Sequence, residues 1–456
     1  MYQLGGFSII NAWTFFNKRY EFLWSNFNKT GQDLFSFKVL QHKVVAMSGE
    51  ASRITFFNEK DLDFSQGYRL LMGGLGDIKV ENEDAGPAMF NKRLLKIFRR
   101  DRLQHVMPTL LSDINKRMDA WGMEGKMNPF KNIYDIVIQL TVRIASCEEL
   151  ADDPRSVEKM SDLYWRLEKS ATAVGLLLPW FPGTAKKDKK QASEGLYGLL
   201  SYYVDARRKA EVPSSDAIDE LIADGADNAI IVEFVLNVIF AGVVNTGMIC
   251  CWTLLYLSAN KEWKGKAMAE VKSLLAAHTT MTSSEPMHQR LSRIPFSAWE
   301  DEMPVVESII RETLRLVKND TALRRNLADN LQVSGKTIDK GAFMAYNMAD
   351  VHLNELFYSE PLKFDPDRFT APREEDKRGN IAFLGWGAGR HPCTGMKFAK
   401  LEIKMILALV LSRYEYKLVD TSGKPPKQLP QPNRNDIHQA RPMGEPCFLR
   451  YRKIVD

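Results

Sequence analysis

Residues 386–395 read Trp-Gly-Ala-Gly-Arg-His-Pro-Cys-Thr-Gly, and a strongly helical run at 396–411 follows directly. The loop contains one cysteine, Cys393, close to the N-terminus of that predicted helix. Free backbone N–H groups and the helix dipole favour negative charge there, so a thiolate is stabilised. Glycines at 385, 387 and 389 let the backbone approach a large flat group closely.

Three other interpretations of this loop compete. An isolated cysteine is most often a small buried hydrophobic residue. A phosphate-binding loop of the Gly-x-Gly-x-x-Gly type is disfavoured, because position 390 is arginine. A zinc site needs more cysteine or histidine at short spacing, and only His391 is near. The residues of the loop therefore favour a thiolate presented to a haem iron.

The loop resembles the haem-binding loop of the cytochromes P450, whose pattern is Phe-Gly-x-Gly-x-Arg/His-x-Cys-x-Gly. The corresponding residues are Trp386, Gly387, Gly389, His391, Cys393 and Gly395, with tryptophan in the phenylalanine position. Two family motifs lie upstream in the expected order: Glu312-Thr313-Leu314-Arg315 matches Glu-x-x-Arg, and residues 364–369 match the Pro-Glu-Arg-Phe region. The resemblance covers nearly the whole chain. It implies haem b as the cofactor and Cys393 as the iron ligand.

The upstream motifs also carry a physical expectation of their own. Glu312 and Arg315 are three residues apart on a predicted helix at 303–317, so they share a face. An arginine fork binds a carboxylate bidentately, and Arg368 is a natural second cation for Glu312. The alternative is a pair of solvated surface charges that contribute little. The resemblance implies that these three residues form a buried structural triad.

The order of elements predicts a mainly α protein with small β-sheets. A hairpin is expected at 34–47 with its turn at Gln41-His42, and a long central helix at 233–257. No linker or internal repeat divides the sequence, so we expect one domain over residues 1–456. The resemblance places the haem between the central helix and the helix that follows Cys393.

Composition limits the functional classes. The 456 residues are 45% hydrophobic and 26% charged, and the net charge is +5, which does not call for nucleic acid. Five cysteines without a regular spacing indicate a reducing compartment without structural disulfides. We expect a monomer.

Membrane attachment is a separate question. No secretory or transit peptide is visible, and the N-terminal membrane helix of eukaryotic relatives is missing from this sequence. Residues 234–256 are long and apolar enough to cross a bilayer, but a buried central helix is favoured. The resemblance implies the cytosolic face of the endoplasmic reticulum membrane for a protein with its anchor, and a soluble chain as the sequence stands.

The central helix departs from the family pattern. Where the family has Ala/Gly-Gly-x-Asp/Glu-Thr, this chain has Ala241-Gly242-Val243-Val244-Asn245-Thr246. Valine replaces the acid, and Asn245 replaces the threonine. Gly242 permits a local opening of the helix beside the oxygen site. Thr246 lies about 100° further around the helix than Asn245 and is expected to point elsewhere. The catalytic candidates are Asn245, Thr246, Gly242 and Cys393.

The reaction type stays open at this point. Asparagine in this place is similar to the group of cholesterol 7α-hydroxylase and prostacyclin synthase, and Gly-Arg-His-x-Cys is similar to the sterol 14α-demethylases. One alternative is a monooxygenase, fungal by resemblance, which uses O2 and electrons from an NADPH-dependent reductase. The other is an oxygen-independent haem-thiolate isomerase or dehydratase that acts on a peroxide. Asn245 itself could instead only cap a distortion of the helix.

The remaining site residues follow from the family layout. Cations for the haem propionates are His391, Arg325 beside Arg324, and Arg93 or Lys92, although Met89 occupies the place of the family tryptophan. Substrate contacts are expected from Tyr68, Leu71, Met72, Leu176, Trp180, Val243, Thr321, Ala322 and Asp436. An apolar pocket of this kind suits a terpenoid, a steroid or a polyketide.

A basic surface is the expected docking site for the reductase. Basic residues cluster on two predicted helices that the family places on the cysteine side of the haem: Lys92, Lys96, Arg99, Arg100, Lys397, Lys400 and Lys404. Positive charge there steers an acidic reductase by long-range attraction. An ordinary solvated surface is the alternative interpretation.

Overall fold

A computed structural model of the chain describes residues 1–71, 87–177, 183–280, 285–436 and 439–454. Helices dominate these residues, as the sequence predicts. In chain order the α-helices are α1 Ser8–Asn17, α2 Arg19–Thr30, α3 Glu50–Asn58, α4 Phe64–Leu71, α5 Pro87–Ile97, α6 Arg100–Asp119, α7 Pro129–Ala145, α8 Glu148–Asp152, α9 Pro154–Lys169, α10 Ala173–Leu177, α11 Thr184–Lys209, α12 Ala217–Ala223, α13 Asn228–Ala259, α14 Lys261–His278, α15 Met287–Ser292, α16 Phe296–Asp301, α17 Pro304–Val317, α18 Ala349–His352 and α19 Met396–Arg413.

Strands are short and form small sheets. Their bounds are β1 Tyr2–Gln3, β2 Leu34–Val39, β3 His42–Met47, β4 Leu62–Asp63, β5 Glu124–Met127, β6 Thr321–Asn326, β7 Leu331–Val333, β8 Lys336–Ile338, β9 Phe343–Asn347, β10 Tyr414–Val419 and β11 Phe448–Lys453. The largest sheet has the order β1-β2-β3-β9-β6-β4, and the smaller ones are β10-β11-β5 and β7-β8. The large sheet therefore joins both halves of the chain.

The predicted hairpin at 34–47 is confirmed, with one shift at its turn. Strands β2 and β3 pair antiparallel, with Phe37 opposite Val44. The turn lies at Leu40 and Gln41, and Leu40 has a φ of 55°. His42 is consequently the first residue of β3 and not part of the turn. The alternation of apolar residues fixed the strands, but it did not resolve the turn to a single residue.

Helix α13 runs through the centre of the protein. It begins with Asp227, whose side chain accepts a hydrogen bond of 2.8 Å from the N–H of Ile230. It packs closely on α7, since a Cβ at Gly247 would lie 2.3 Å from the ring of Tyr134. Trp252 of the same helix donates from Nε1 to the carbonyl of Ala440 at 2.9 Å. These contacts bury an apolar surface that length and hydropathy alone would also allow in a membrane.

The cysteine-loop helix α19 lies against the same core. Most of its length is buried, including the run from Ile403 to Leu411. Helix α17 packs on α13 and continues into β6, so it connects the central helix with the large sheet. The cysteine loop lies between these layers, and their contacts determine its geometry.

Candidate active site

The cysteine loop closes on itself through its backbone. The N–H of Gly387 donates to the carbonyl of Leu384 at 2.9 Å, and the N–H of Cys393 donates to the carbonyl of Trp386 at 2.7 Å. Gly387 has a φ of 73°, and a Cβ there would lie 2.7 Å from the carbonyl oxygen of His391. Glycine is therefore required at 387, because the turn crosses the chain that leads into Cys393.

A second anchor holds the loop against α3. The N–H of Arg390 donates to the carbonyl of Phe57 at 3.0 Å. Gly389 has a φ of 60°, and a Cβ there would lie only 2.1 Å from that same carbonyl oxygen. The second glycine of the motif is thus needed for this backbone contact.

Cys393 differs from the other four cysteines, because it is exposed while they are buried. Its thiol lies at the start of α19, and desolvation by the surrounding protein raises the pKa of the thiol. The backbone N–H of Gly395 and the charge of Lys318 act in the opposite direction and lower that pKa. The site therefore offers a thiol with N–H and cationic support for its ionised form.

Cations surround this loop on the side of β6. His391 stacks on Phe64 with ring centroids 5.7 Å apart, and the guanidinium of Arg324 lies 4.7 Å from the same ring. Burial and the charge of Arg324 lower the pKa of His391. Arg325 points to the other face of β6, where it lies over Phe343 and donates to Gln66 at 3.0 Å.

The two candidate cations on α5, Arg93 and Lys92, differ in burial. Arg93 is 6% exposed, whereas Lys92 is exposed to solvent. The loop reaches this helix through the hydroxyl of Thr394, which donates to Asn91 Oδ1 at 3.2 Å. Of the two adjacent cations, Arg93 is therefore the buried one, on the helix that the loop contacts.

These residues fit a flat, anionic, thiolate-ligated cofactor such as haem b. One accessible thiol lies at a helix N-terminus, and the glycines bring backbone close to it. His391 and Arg324 provide positive charge beside the loop, as propionates require. The indole Nε1 of Trp386 is buried and makes no hydrogen bond with the described residues, which suits a residue that lies flat against an apolar ring.

Glu312, Arg315 and Arg368 come together without any exposed surface. Arg315 binds the Glu312 carboxylate through two hydrogen bonds of 2.8 Å, and Arg368 Nε reaches the same carboxylate at 3.0 Å. The second half of the Arg315 fork donates to the carbonyls of His352 and Pro361 at 2.6 and 2.8 Å. The carboxylate is thus fully satisfied, as a buried charge requires.

A second acid extends this network. Arg368 also pairs with Glu375, which is 1% exposed. Burial by itself raises the pKa of Glu375, but hydrogen bonds from Ser359, Arg368 and Arg373 lower it to about 2. The short 3-10 helices that carry these residues, Pro366–Phe369 and Glu375–Lys377, are therefore fastened to α17 through ion pairs.

The polar residue of the central helix makes two defined contacts. Asn245 Nδ2 donates to the carbonyl of Ala241 at 2.8 Å, and Asn245 Oδ1 accepts from Lys318 Nζ at 2.8 Å. Lys318 also pairs with Asp320 at 2.6 Å. The helix itself runs unbroken from residue 228 to 259, so the expected opening beside Gly242 is not present. A Cβ at Gly242 would lie 3.2 Å from Thr141, and the glycine serves close packing on α7.

Two other candidate residues of the central helix, Val243 and Thr246, do not take part in the contact between Asn245 and Lys318. Val243 is fully buried in the hydrophobic core. Thr246 is 4% exposed and its hydroxyl faces the buried carboxyl of Glu402 on α19. Burial raises the pKa of Glu402 well above its usual range. Thr246 therefore faces α19, as its angle from Asn245 predicted.

The expected substrate contacts are described only in part. Thr321 and Ala322 lie on β6 and are 7% and 8% exposed. Asp436 is turned into its own loop, where it accepts from Arg441 Nε at 2.8 Å. Met72 and Trp180 lie outside the described residues, as do the side chains of Tyr68, Leu71 and Leu176, whose backbones end helices α4 and α10.

The basic residues near the loop are partly neutralised. Helices α5 and α6 meet the cysteine side, where Phe98 stacks on Phe398 with centroids 5.1 Å apart. Acids accompany most of the cations there: Lys96 pairs with Asp224, Arg99 with Glu220, Arg100 and Lys397 with Glu300, and Lys400 with Glu307.

Lys404 does not belong to the basic surface that was predicted to dock the reductase. It is 2% exposed, and its Nζ donates to the carbonyl of Trp299 at 2.8 Å. It therefore cannot belong to a docking surface. Helical spacing from Lys397 and Lys400 suggested a common face, but α19 turns that position into the core.

The neighbour Phe64 and the contact between Lys318 and Asn245 escaped the sequence analysis, which named both Arg324 and Arg325 without deciding between them. Phe64 stacks on His391 across more than three hundred residues of sequence, which no local pattern reveals. Arg324 and Arg325 are adjacent, and only the orientation of β6 decides between them. Lys318 reaches Asn245 from the end of α17, at a position where helical periodicity no longer applies.

Comparison with known proteins identifies the family of this chain. The sequence profile described as cytochrome P450 matches residues 8–441. The cytochrome P450 monooxygenase AacuE of Aspergillus aculeatus is 29% identical, with 98% of this chain and 92% of the relative covered. Monooxygenase nsrP of Aspergillus novofumigatus is 30% identical over 88% of this chain and 79% of its own length.

More distant proteins share the architecture. The sterol 14α-demethylase of Mycobacterium tuberculosis is 24% identical, with 92% of this chain and 91% of the relative covered. The solved structure of cyanobacterial CYP120A1 with bound retinoic acid is 19% identical and superposes with a TM-score of 0.79 over 99% of both chains. The fold, the cysteine loop and the relatives lead to one conclusion: this chain belongs to the cytochrome P450 family and is a haem-b-dependent, thiolate-ligated monooxygenase.

Proposed function

We propose that the protein oxidises a hydrophobic small molecule such as a terpenoid, a steroid or a polyketide, by hydroxylation or a related oxidation. The observation that carries the proposal is the accessible thiol of Cys393, supported by the Gly395 N–H at the start of α19. Bound haem supplies O2 activation, with electrons from a partner reductase that uses NADPH. The chain's own residues hold the cofactor, orient the substrate and control protons.

In this proposal Cys393 is the iron ligand, and Trp386, Gly387 and Gly395 form the surface against which the ring lies. His391 and Arg93 hold the propionates. Arg324 joins them, since it shares the Phe64 ring with His391 while Arg325 points to the opposite face of β6. The Glu312 triad fixes the segment that precedes the loop.

Asn245 is the proposed polar residue on the substrate side. Its carboxamide is the hydrogen-bonding group that the central helix offers in place of the family's acid and hydroxyl, because Val244 stands in the place of the acid and Thr246 faces Glu402 on α19. Thr321 and Ala322 complete the pocket from β6. Their small side chains leave room for a bulky apolar substrate.

Electron entry is proposed at the cysteine side of the protein. The exposed cations there are Lys92, Arg99, Arg100 and Lys397. Their field favours an acidic partner, although Glu220 and Glu300 reduce it. Screening by salt should weaken such an association.

Membrane association is proposed through the N-terminal helix. Helix α1 and the residue before it expose apolar side chains on one side: Phe7 is 76% exposed, Ile10 is 58% exposed and Trp13 is 46% exposed. Exposed aromatic and aliphatic residues of this kind insert into the interfacial region of a bilayer. We propose that this apolar surface contacts the cytosolic face of the endoplasmic reticulum membrane.

Two measurements test the proposal. Purified protein with reductase, NADPH and O2 should convert substrates that perturb the haem spectrum in a screen of apolar metabolites. Substitution of Cys393 by serine should abolish the red-shifted absorption of the reduced, carbon-monoxide-treated protein. Turnover without reductase and NADPH would contradict the proposal. It would support an isomerase, the alternative that the asparagine at position 245 left open.

A further inference from the structure

The amide of Asn245 is held between two neighbours whose hydrogen-bonding character is unambiguous. Lys318 is an ammonium that can only donate, and it lies 2.8 Å from Oδ1. The carbonyl of Ala241 can only accept, and it lies 2.8 Å from Nδ2. Either contact alone would settle which end of the carboxamide is oxygen, and the two agree. The assignment follows from chemistry and not from the shape of the side chain.

This orientation decides what the asparagine offers to the pocket. The amide nitrogen carries two hydrogens, and one of them is used by Ala241. The second has no partner among the described residues, and Asn245 is only partly buried. A flipped amide would present a carbonyl oxygen in its place. The lysine contact thus converts an ambivalent residue into a hydrogen-bond donor.

Lys318 is itself held in place at several points. Its N–H donates to the carbonyl of Leu314 at 2.8 Å, which ends α17. Its carbonyl accepts from His352 Nδ1 at 3.1 Å, and its ammonium pairs with Asp320 at 2.6 Å. Only 20% of its side chain is exposed. A lysine fixed in this way loses little further entropy in its contact with Asn245.

The cluster is also connected to the cysteine loop, through the ring of His352. Nδ1 of that ring lies 3.1 Å from the carbonyl of Lys318, and Nε2 accepts a hydrogen bond of 2.9 Å from the backbone N–H of Leu384, at the entrance to the loop. The contact between α13 and the end of α17 is therefore part of the site and not a remote surface pair.

We propose that Lys318 is a positioning residue, whose ammonium orients the Asn245 carboxamide so that an amide N–H faces the reaction site. The inference rests on the proposed function, since it assumes a ligand bound opposite Cys393. It assigns a role to a residue outside the recognised motifs. It also explains how one asparagine provides a defined donor where the family uses two residues.

Carbon monoxide bound to the reduced protein is the probe, because its C–O stretching frequency falls when a hydrogen-bond donor faces it. Lys318→Met should shift the infrared band upward and broaden it, since the amide is then free to flip. Lys318→Arg keeps a donor and should retain the parent band. Asn245→Asp keeps the lysine contact but removes the N–H, and should shift the band upward without the broadening.

Two further variants separate orientation from charge. Asp320→Asn alters the local charge but leaves the lysine–asparagine contact, so the band should stay in place. Lys340→Met removes an exposed lysine paired with Asp329 and is the matched control. An unshifted band in Lys318→Met or Asn245→Asp would overturn the inference, as would a shift of comparable size, in either direction, in Asp320→Asn. Loss of the thiolate-type absorption in the parent protein would instead overturn the proposed function.

Discussion

Nε2 of His352 accepts a hydrogen bond of 2.9 Å from the backbone N–H of Leu384, at the entrance to the cysteine loop. The other ring nitrogen, Nδ1, lies 3.1 Å from the carbonyl of Lys318 and must carry the proton, because a carbonyl only accepts. The ring is therefore neutral and bridges the end of α17 to the loop. Protonation of Nε2 would break this bridge.

The bridge predicts a pH dependence of stability. Burial, followed by the charge of Arg315, lowers the pKa of His352 from 6.5 to about 3. The unfolded state binds the proton first as the pH falls, so the free energy of unfolding should decrease between pH 6.5 and 3. One proton contributes at most about 1.4 kcal/mol per pH unit. Denaturant unfolding at pH 7 and pH 5.5 measures this slope.

His352→Gln is the matching variant, since a glutamine oxygen can still accept from Leu384 but does not titrate in this range. Its slope should be smaller than that of the parent protein by up to about 1.4 kcal/mol per pH unit. His42, His288 and His391 remain in both proteins and cancel in the comparison. Equal slopes would show that the ring is not held neutral.

The triad predicts a large and specific loss of stability. Arg368→Leu leaves Glu312 and Glu375 buried with part of their charge uncompensated, which costs about 3–5 kcal/mol. Chemical unfolding of the haem-bound protein, together with the yield of thiolate-type absorption, should reveal it. Lys363→Ala breaks only the exposed pair with Glu360 and should change the free energy of unfolding by less than about 1 kcal/mol. Similar effects of the two substitutions would argue against a buried triad.

Alanine in place of glycine should destabilise the protein in the cysteine loop but not in an ordinary helix. Gly389→Ala places a Cβ against the Phe57 carbonyl at a φ of 60°, so it should cost at least about 1–3 kcal/mol and reduce the thiolate-type absorption. Gly198 lies inside α11, and a Cβ there has no neighbour within 4 Å. Gly198→Ala should stabilise the protein by about 0.5–1 kcal/mol. Tolerance of alanine at 389 would contradict the tight contact with α3.

The reductase face predicts an effect that depends on ionic strength. Arg100 and Lys397 have side chains 56% and 65% exposed, and both lie near Glu300. Replacing both by glutamine should slow reductase-driven turnover at low salt, and the difference should shrink as salt is added. Arg452→Gln, on β11 with 70% of its side chain exposed, is the control. Equal rates for all three proteins at every salt concentration would exclude docking at this face.

The exposed apolar side of α1 predicts lipid binding. The double substitution Phe7→Ser and Trp13→Ser should reduce the fraction of protein that floats with phospholipid vesicles. Each serine removes apolar surface that would otherwise enter the membrane interface. Leu356 is 81% exposed and lies far along the sequence. Leu356→Ser controls for a general loss of surface hydrophobicity. Unchanged flotation of the double variant would place membrane contact elsewhere.

How much of this could be read from the sequence depends on the range of the interactions. The spacing of Glu312 and Arg315 placed both on one helical face, and the structure has them there. The angle between Asn245 and Thr246 likewise separated their directions, since helical periodicity is a local property. Motif order alone was sufficient for the family.

Contacts between distant elements were beyond such patterns. The choice between Arg324 and Arg325 depends on the register of β6 against β4 and β9, which a strand of this length does not encode by itself. Lys404 continued a basic pattern on α19, yet its ammonium is buried against carbonyl oxygens. Periodicity gives the face of a helix, but neighbouring elements decide which faces are covered.

The hydrogen bond from the N–H of Arg390 to the carbonyl of Phe57 connects the cysteine loop to a helix more than three hundred residues earlier in the chain. Closing a loop of this length has an entropic cost that must be met before the contact contributes to stability. The cysteine loop can be fixed against α3 only after the ribosome has synthesised residue 390, close to the end of the chain. Haem capture then reports on the completeness of synthesis, and truncated products would be left without their prosthetic group.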